Sequence, residues 1–63
     1  MYKNLVSARK NKNLTINDMS KIILKSPATY YKKEMGNVAI SVKEAILIAR
    51  RLNENIEFLF EEF

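Results

Sequence analysis

Apolar residues along this chain recur at intervals of three and four rather than two, and each stretch with that spacing follows a residue suited to start a helix. Lys3 to Lys12 forms the first stretch, with Leu5, Ala8 and Tyr2 on one face. Asn13 supplies a left-handed stop, because Asn tolerates positive φ better than other non-glycine residues. Thr15 is a good N-cap for the second stretch. Asp18 at its third helical position sits in the positive end of the dipole, and Leu14 and Met19 are spaced as a hydrophobic staple. Its inner side reads Ile16, Met19, Ser20 and Ile23, with Asn17 and Lys21 facing away; the small Ser20 admits a close neighbour.

After the short connection Leu24-Lys25, Ser26 caps a third helix whose first residue is Pro27, where the missing N–H costs nothing. At 100° per residue Tyr30 and Glu34 point one way with Lys33 at their edge, and Pro27, Ala28, Tyr31, Lys32 and Met35 point the other way. Gly36 ends it. Ser41-Val42-Lys43-Glu44 is a capping box for a fourth helix, with Ile40 and Ala45 in the staple positions. On that helix Val42, Ala45, Ile46, Ala49 and Leu52 predict a buried side with Ile48 at its margin, and Leu47 falls on the far side beside Lys43 and Glu44. Asn55 opens a fifth helix over residues 56–63, from which Ile56, Leu59 and Phe60 dock on the core while Phe58 and Phe63 find no place in it. The pattern predicts an all-α, compact five-helix domain spanning residues 1–63, joined by connections of ordinary length.

Size and composition narrow the class. A chain of 63 residues buries only roughly 60% of its unfolded surface, so its core is small. With no Cys and no His, neither a disulfide nor a zinc finger can staple it, which leaves helix packing and self-association. One Gly and one Pro argue against an all-β fold. No apolar run approaches a membrane span, and the start MYKNLVSARK lacks the apolar core of a signal peptide, so a cytoplasmic location is expected. Without His, Cys, a glycine-rich phosphate loop or a carboxylate pair placed for acid–base work, no enzyme is expected, and no cofactor, metal or small-molecule ligand.

Charge adds the functional hint. Residues 1–33 hold eight Lys/Arg against the single acid Asp18, whereas residues 34–63 hold three against six acids. So polarised a chain can turn one face towards a polyanion.

With caps and core positions laid out in this register, the chain resembles the lambda repressor/Cro-like helix-turn-helix family of bacterial and phage regulators. Leu14-Thr15 opens the motif at residues 15–36, Met19-Ser20 stands where the family has a Leu-Ala pair, and Ile23 is the next core position. Ser26 caps the recognition helix and Gly36 closes it. Ile40-Ser41-Val42, Glu44-Ala45-Ile46, Ile48-Ala49 and Leu52 look like the family's fourth helix, and Ile56 with Leu59-Phe60 like its last.

The resemblance implies that the third helix, residues 27–35, lies in the major groove of double-stranded DNA. Pro27, Ala28 and Lys32, with Thr29 and Tyr31 alongside, are then the base-facing set. Lys32 can donate to guanine O6/N7, and the methyls of Ala28 and Thr29 suit the thymine methyl. Lys12, Lys21, Lys25 and Lys33 are phosphate candidates, as is Ile16, whose position in many members contacts phosphate through a polar residue, usually Gln. Leu24 sits where the family's turn usually has Gly. Left-handed geometry there costs roughly 1–2 kcal/mol, so the second helix is expected to run one residue longer. The family usually binds as a two-fold dimer, and Val38, Leu47, Phe58 and Phe63 are the apolar residues left over for such a contact. Since the chain ends soon after its fifth helix, a small Cro-like regulator of phage or prophage type, with no separate oligomerisation domain, is the expectation. Apolar Ile16, Pro27, Ala28 and Met35 on the presumed DNA face supply the alternative, a protein-interaction module such as an antirepressor or docking subunit on the same scaffold.

Overall fold

The computed structural model describes residues 1–61. Five helices follow in chain order: α1 Lys3–Asn11, α2 Ile16–Ile22, α3 Pro27–Glu34, α4 Val42–Leu52 and α5 Ile56–Leu59. No strand occurs among the described residues, and none of their helices is long and apolar enough to cross a membrane.

Starts and stops are local. Thr15 and Ser41 each complete a capping box, with Asp18 and Glu44 respectively, while Ser26 accepts from the Thr29 N–H and Asn55 from those of Glu57 and Phe58. The first four helices share one ending, in which a residue with positive φ stands just past the helix: Asn13, Leu24, Gly36 and Asn53. In each case the next N–H reaches back to the carbonyl five residues earlier, as in Lys25 N–H to Ser20 O at 2.9 Å and Asn37 N–H to Lys32 O at 2.9 Å. This is the Schellman closure, which satisfies carbonyls the helix itself leaves open.

Leu24 corrects the expectation of a longer second helix. That helix ends at Ile22 with Ile23 as its C-cap, and Leu24 takes φ +58°. A left-handed Leu costs roughly 1–2 kcal/mol. The two hydrogen bonds of the closure offset that cost, and the side chain, 85% exposed, meets no obstruction.

The core is one cluster: Leu5 and Ala8 from α1, Met19 and Ile23 from the α2 end, Tyr30 from α3, Ile48, Ala49 and Leu52 from α4, and Leu59 from α5. Full burial of a side chain such as Leu5, Ile48 or Leu59 stabilises by about 1.5–3 kcal/mol. Tyr2 and Phe60 close the cluster with their rings edge to face, centroids 5.4 Å apart, and Asn4 Nδ2 ties α1 to α5 through the Phe58 carbonyl at 2.9 Å.

Two faces differ from expectation. On α4 the buried spine runs Glu44, Ile48, Ala49 and Leu52; Ala45 and Ile46 are half-buried, and Val42 is 78% exposed. The inner side is turned because Glu44, read as solvent-facing, is drawn inward by Ser41 and Lys33. The fifth helix is one turn long rather than two: Phe60 is its C-cap, Ile56 is exposed rather than docked, Glu61 lies outside the helix, and positions 62–63 of the predicted stretch fall outside the described residues.

Candidate nucleic-acid interface

The Thr15 to Gly36 stretch folds as two helices set against each other across a short turn, and α3 lies closest to α2. Ser26 fixes where α3 begins. Its extended backbone (ψ 156°) is what a residue before proline prefers. Its Oγ accepts from the Thr29 N–H at 3.1 Å and donates to Thr29 Oγ1 at 2.9 Å. With the start fixed, side-chain directions along α3 follow.

The inner side of α3 is locked by charge as well as by packing. Tyr30 is fully buried, and its Oη donates to Glu34 Oε2 at 2.8 Å. Arg9 of α1 grips the same carboxylate with two groups, Nε to Oε2 at 2.9 Å and Nη2 to Oε1 at 3.2 Å, and sends Nη1 to the Leu14 carbonyl at 2.9 Å. Desolvation, reinforced by the Glu34 carboxylate, pushes the Tyr30 phenol well above its ordinary value, so it remains a donor. The Tyr2 N–H adds a bond to the Glu34 carbonyl at 3.0 Å. Arg9 is the functional residue that sequence reading missed. It stands one helical turn from Leu5 and next to Ala8, so the spacing already placed it inside, facing an inward Glu34.

The outer side of α3 is open. Pro27, Ala28, Tyr31 and Lys32 are all exposed, Thr29 is half-buried, and Met35 is half-buried rather than on the open face. Lys25 before the helix, Lys21 on α2 and Lys12 at the end of α1 are exposed as well. Counted with Lys3 and Lys10, six lysines of the first half point to solvent, because Arg9 and Lys33 are held internally by Glu34 and Glu44. Asp18, the one acid of that half, is occupied by its capping box. The Thr15 N–H, and then the Thr15 hydroxyl, hold its carboxyl below the usual range, with Lys21 and Arg51 adding to the effect.

Two of the phosphate candidates sit further inward than the others. Lys33 is only 7% exposed, and its Nζ lies 2.9 Å from Glu44 Oε1 and 2.8 Å from the Ala39 carbonyl oxygen. Its place at the edge of the inner side of α3 lets Glu44 draw it in. Ile16 is half-buried with its side chain packed against the core cluster, and the polar group it can offer outward is its backbone N–H in the first turn of α2. The apolar residues left over for self-association are divided. Leu47 is half-buried in a depression with Ile23, Leu24, Lys25 and Lys43 beside the α2–α3 turn, whereas Phe58 is exposed on α5 against α1. Val38 is exposed in the α3–α4 link, and Phe63 lies outside the described residues. Among the described residues no group of His, Cys, Asp and Glu is arranged to hold a metal.

No curated protein and no solved structure matches the chain. A protein-family model described as helix-turn-helix matches it over residues 5–59, from the first core leucine to the last. The match takes in α2, the turn, α3 and the helices that support them. The chain therefore belongs to the helix-turn-helix family of lambda repressor/Cro type, a family of DNA-binding regulators.

Proposed function

We propose that this protein is a sequence-specific transcriptional regulator of the small Cro-like kind found in phages and bacteria, reading duplex DNA with α3 in the major groove and binding as a two-fold dimer. The observation that carries the reading is the division of α3 into a side fastened by Tyr30 and Glu34 and an open side of Pro27, Ala28, Tyr31 and Lys32, flanked by Lys21 and Lys25. Lys32 and the Tyr31 hydroxyl supply the polar base contacts, Ala28 and Pro27 the apolar ones, and Lys12, Lys21 and Lys25 the phosphate contacts. With few side-chain donors on the open face, phosphate contacts provide most of the affinity. Two copies on DNA present their α3 helices about 34 Å apart, with exposed Phe58 and Ile56 available to the contact between them.

Binding to duplexes recovered from a random pool, titrated against salt, tests this. Log K falls steeply with log[salt] if phosphates are engaged, and a flat dependence excludes them. Lys32→Ala is expected to weaken specific binding by about 1–3 kcal/mol and to relax preference at one position. Unchanged affinity and preference remove Lys32 from the reading surface.

Exposed Leu24 and Val42 favour a second reading, a protein-docking module on the same scaffold. Heteronuclear NMR with random duplex separates the two: DNA binding shifts resonances clustered at residues 16–38, docking leaves them in place.

A further inference from the structure

Lys33 does something other than what a lysine on a DNA-reading helix is expected to do. Its ammonium turns away from the open face to reach Glu44 Oε1 at 2.9 Å and the Ala39 carbonyl at 2.8 Å. The same Glu44 oxygen accepts the Ser41 N–H at 3.0 Å, as the return half of the α4 capping box. One carboxylate oxygen thus joins α3, the end of the α3–α4 link and the first turn of α4. The other end of the link hangs from the neighbouring residue, since the N–H groups of Asn37 and Val38 both reach the Lys32 carbonyl, at 2.9 and 3.3 Å. Consecutive residues therefore divide the work: Lys32 presents its side chain outward, while Lys33 fastens the backbone behind it.

The arrangement bears on the angle of the helix. α3 lies closest to α2 and is anchored in the core through Tyr30, so a roll about its own axis is opposed chiefly by the side-chain ties at its two edges. Arg9–Glu34 blocks that roll from the α1 side, and Lys33–Glu44 blocks it from the α4 side. A recognition surface must be held within about 0.5 Å and 10–20° to work.

We propose that Lys33 is a positioning residue for DNA reading, which sets the C-terminal half of α3 and the α3–α4 link against α4 without touching phosphate. The inference rests on the DNA-binding reading above. Two variants test it. Lys33→Met keeps the buried stem and deletes the ammonium. Lys33→Met with Glu44→Gln also removes the carboxylate's charge while retaining an oxygen for the Ser41 N–H, so that no unpaired charge stays buried.

Circular dichroism reports whether each variant is folded at the working temperature. Duplex binding is then measured across a salt series, on a preferred and a scrambled sequence, alongside amide exchange of Asn37 and Val38. For the folded double variant we expect affinity for the preferred duplex to fall about ten-fold and discrimination against the scrambled one to shrink. The salt slope should stay at the wild-type value, and both amides should exchange faster. A slope reduced by about one would mean that Lys33 meets a phosphate, and unchanged affinity and discrimination would mean that it only braces the fold; either overturns the proposal. Wild type that binds no duplex at any salt sinks the DNA reading itself, a result separate from any difference between variants.

Discussion

Tyr30 Oη donates to Glu34 Oε2 from one turn earlier in the same helix, at 2.8 Å, on the carboxylate that Arg9 holds through two nitrogens. All three side chains are buried, and no buried side-chain nitrogen or oxygen among the described residues lacks a partner. Removing one member of such a cluster strands the others. Arg9→Met is expected to cost about 3–5 kcal/mol, because it leaves Glu34 as an uncompensated buried charge. Tyr30→Phe costs about 1–3 kcal/mol, and the triple replacement Arg9→Met, Tyr30→Phe, Glu34→Leu recovers most of the loss. Urea denaturation of the four proteins measures this; a triple variant that loses as much as the two single variants together would show that the groups do not act together.

Acid should weaken the fold through its capping boxes. Asp18 is held below its ordinary value of 3.8, first by the Thr15 N–H. For Glu44 desolvation pushes upward from the ordinary 4.5, but the Ser41 N–H and the Lys33 ammonium together outweigh it and the net shift is down. A lowered folded value means that the unfolded chain takes up protons first as pH falls. The stability from both groups is complete above their ordinary values and is lost as pH drops through the lower folded ones. Tyr30 shifts the other way, so its contribution is intact below its ordinary 10.0 and declines as pH rises past it. Thermal melts across the full range should give a dome with both flanks. Asp18→Asn with Glu44→Gln should flatten the acid flank, and an unaltered flank would assign it to other carboxylates.

Leu24→Gly should stabilise. The left-handed backbone at φ +58° is unfavourable for Leu and open to Gly, and the exposed side chain contributes little packing. Strain relief less the entropy of a freer unfolded chain gives a gain of up to about 1 kcal/mol, or about 4–8 °C in Tm for a domain of this size. A lower Tm would mean that the Leu24 side chain makes a contact worth more than the strain.

The turned face of α4 can be checked with two alanines. Ile48→Ala should cost about 2–5 kcal/mol, whereas Val42→Ala should stay within about 0.5 kcal/mol. Comparable losses would restore the predicted face centred on Val42 and Ala45.

Much of the fold was legible because helix boundaries are chemical and local. Thr15, Ser26, Ser41 and Asn55 each announce a start through their own side chains, and the structure has all four in that role. The inner face of α3 was legible too, because Ser26 and Pro27 fix where the helix starts, and 100° per residue then puts Tyr30 with Glu34 and turns Tyr31 the other way. What escaped is what the charged residues do when they meet across helices. Helix spacing sets Arg9 beside Leu5 and Ala8, leaves Lys33 at the edge of the inner side of α3 and sends Glu44 to solvent, but it names no partner for any of them, because the opposite charges lie far off in sequence: 25 residues for Arg9–Glu34 and 11 for Lys33–Glu44. Leu24 was misjudged for a related reason. Propensity weighs a left-handed leucine in isolation, whereas the two hydrogen bonds that close α2 make the strain tolerable.

The grip of Arg9 on Glu34 has a consequence for anyone treating Thr15 to Gly36 as a transplantable module. Lifted onto another scaffold or synthesised as a peptide, the two-helix segment would carry a tyrosine and a carboxylate built to sit in the dark, with their counter-ion left behind. Such a graft would either splay to let Glu34 reach water or demand an arginine from its host at the same place. The smallest transferable helix-turn-helix unit of this protein therefore starts at α1, ahead of Thr15.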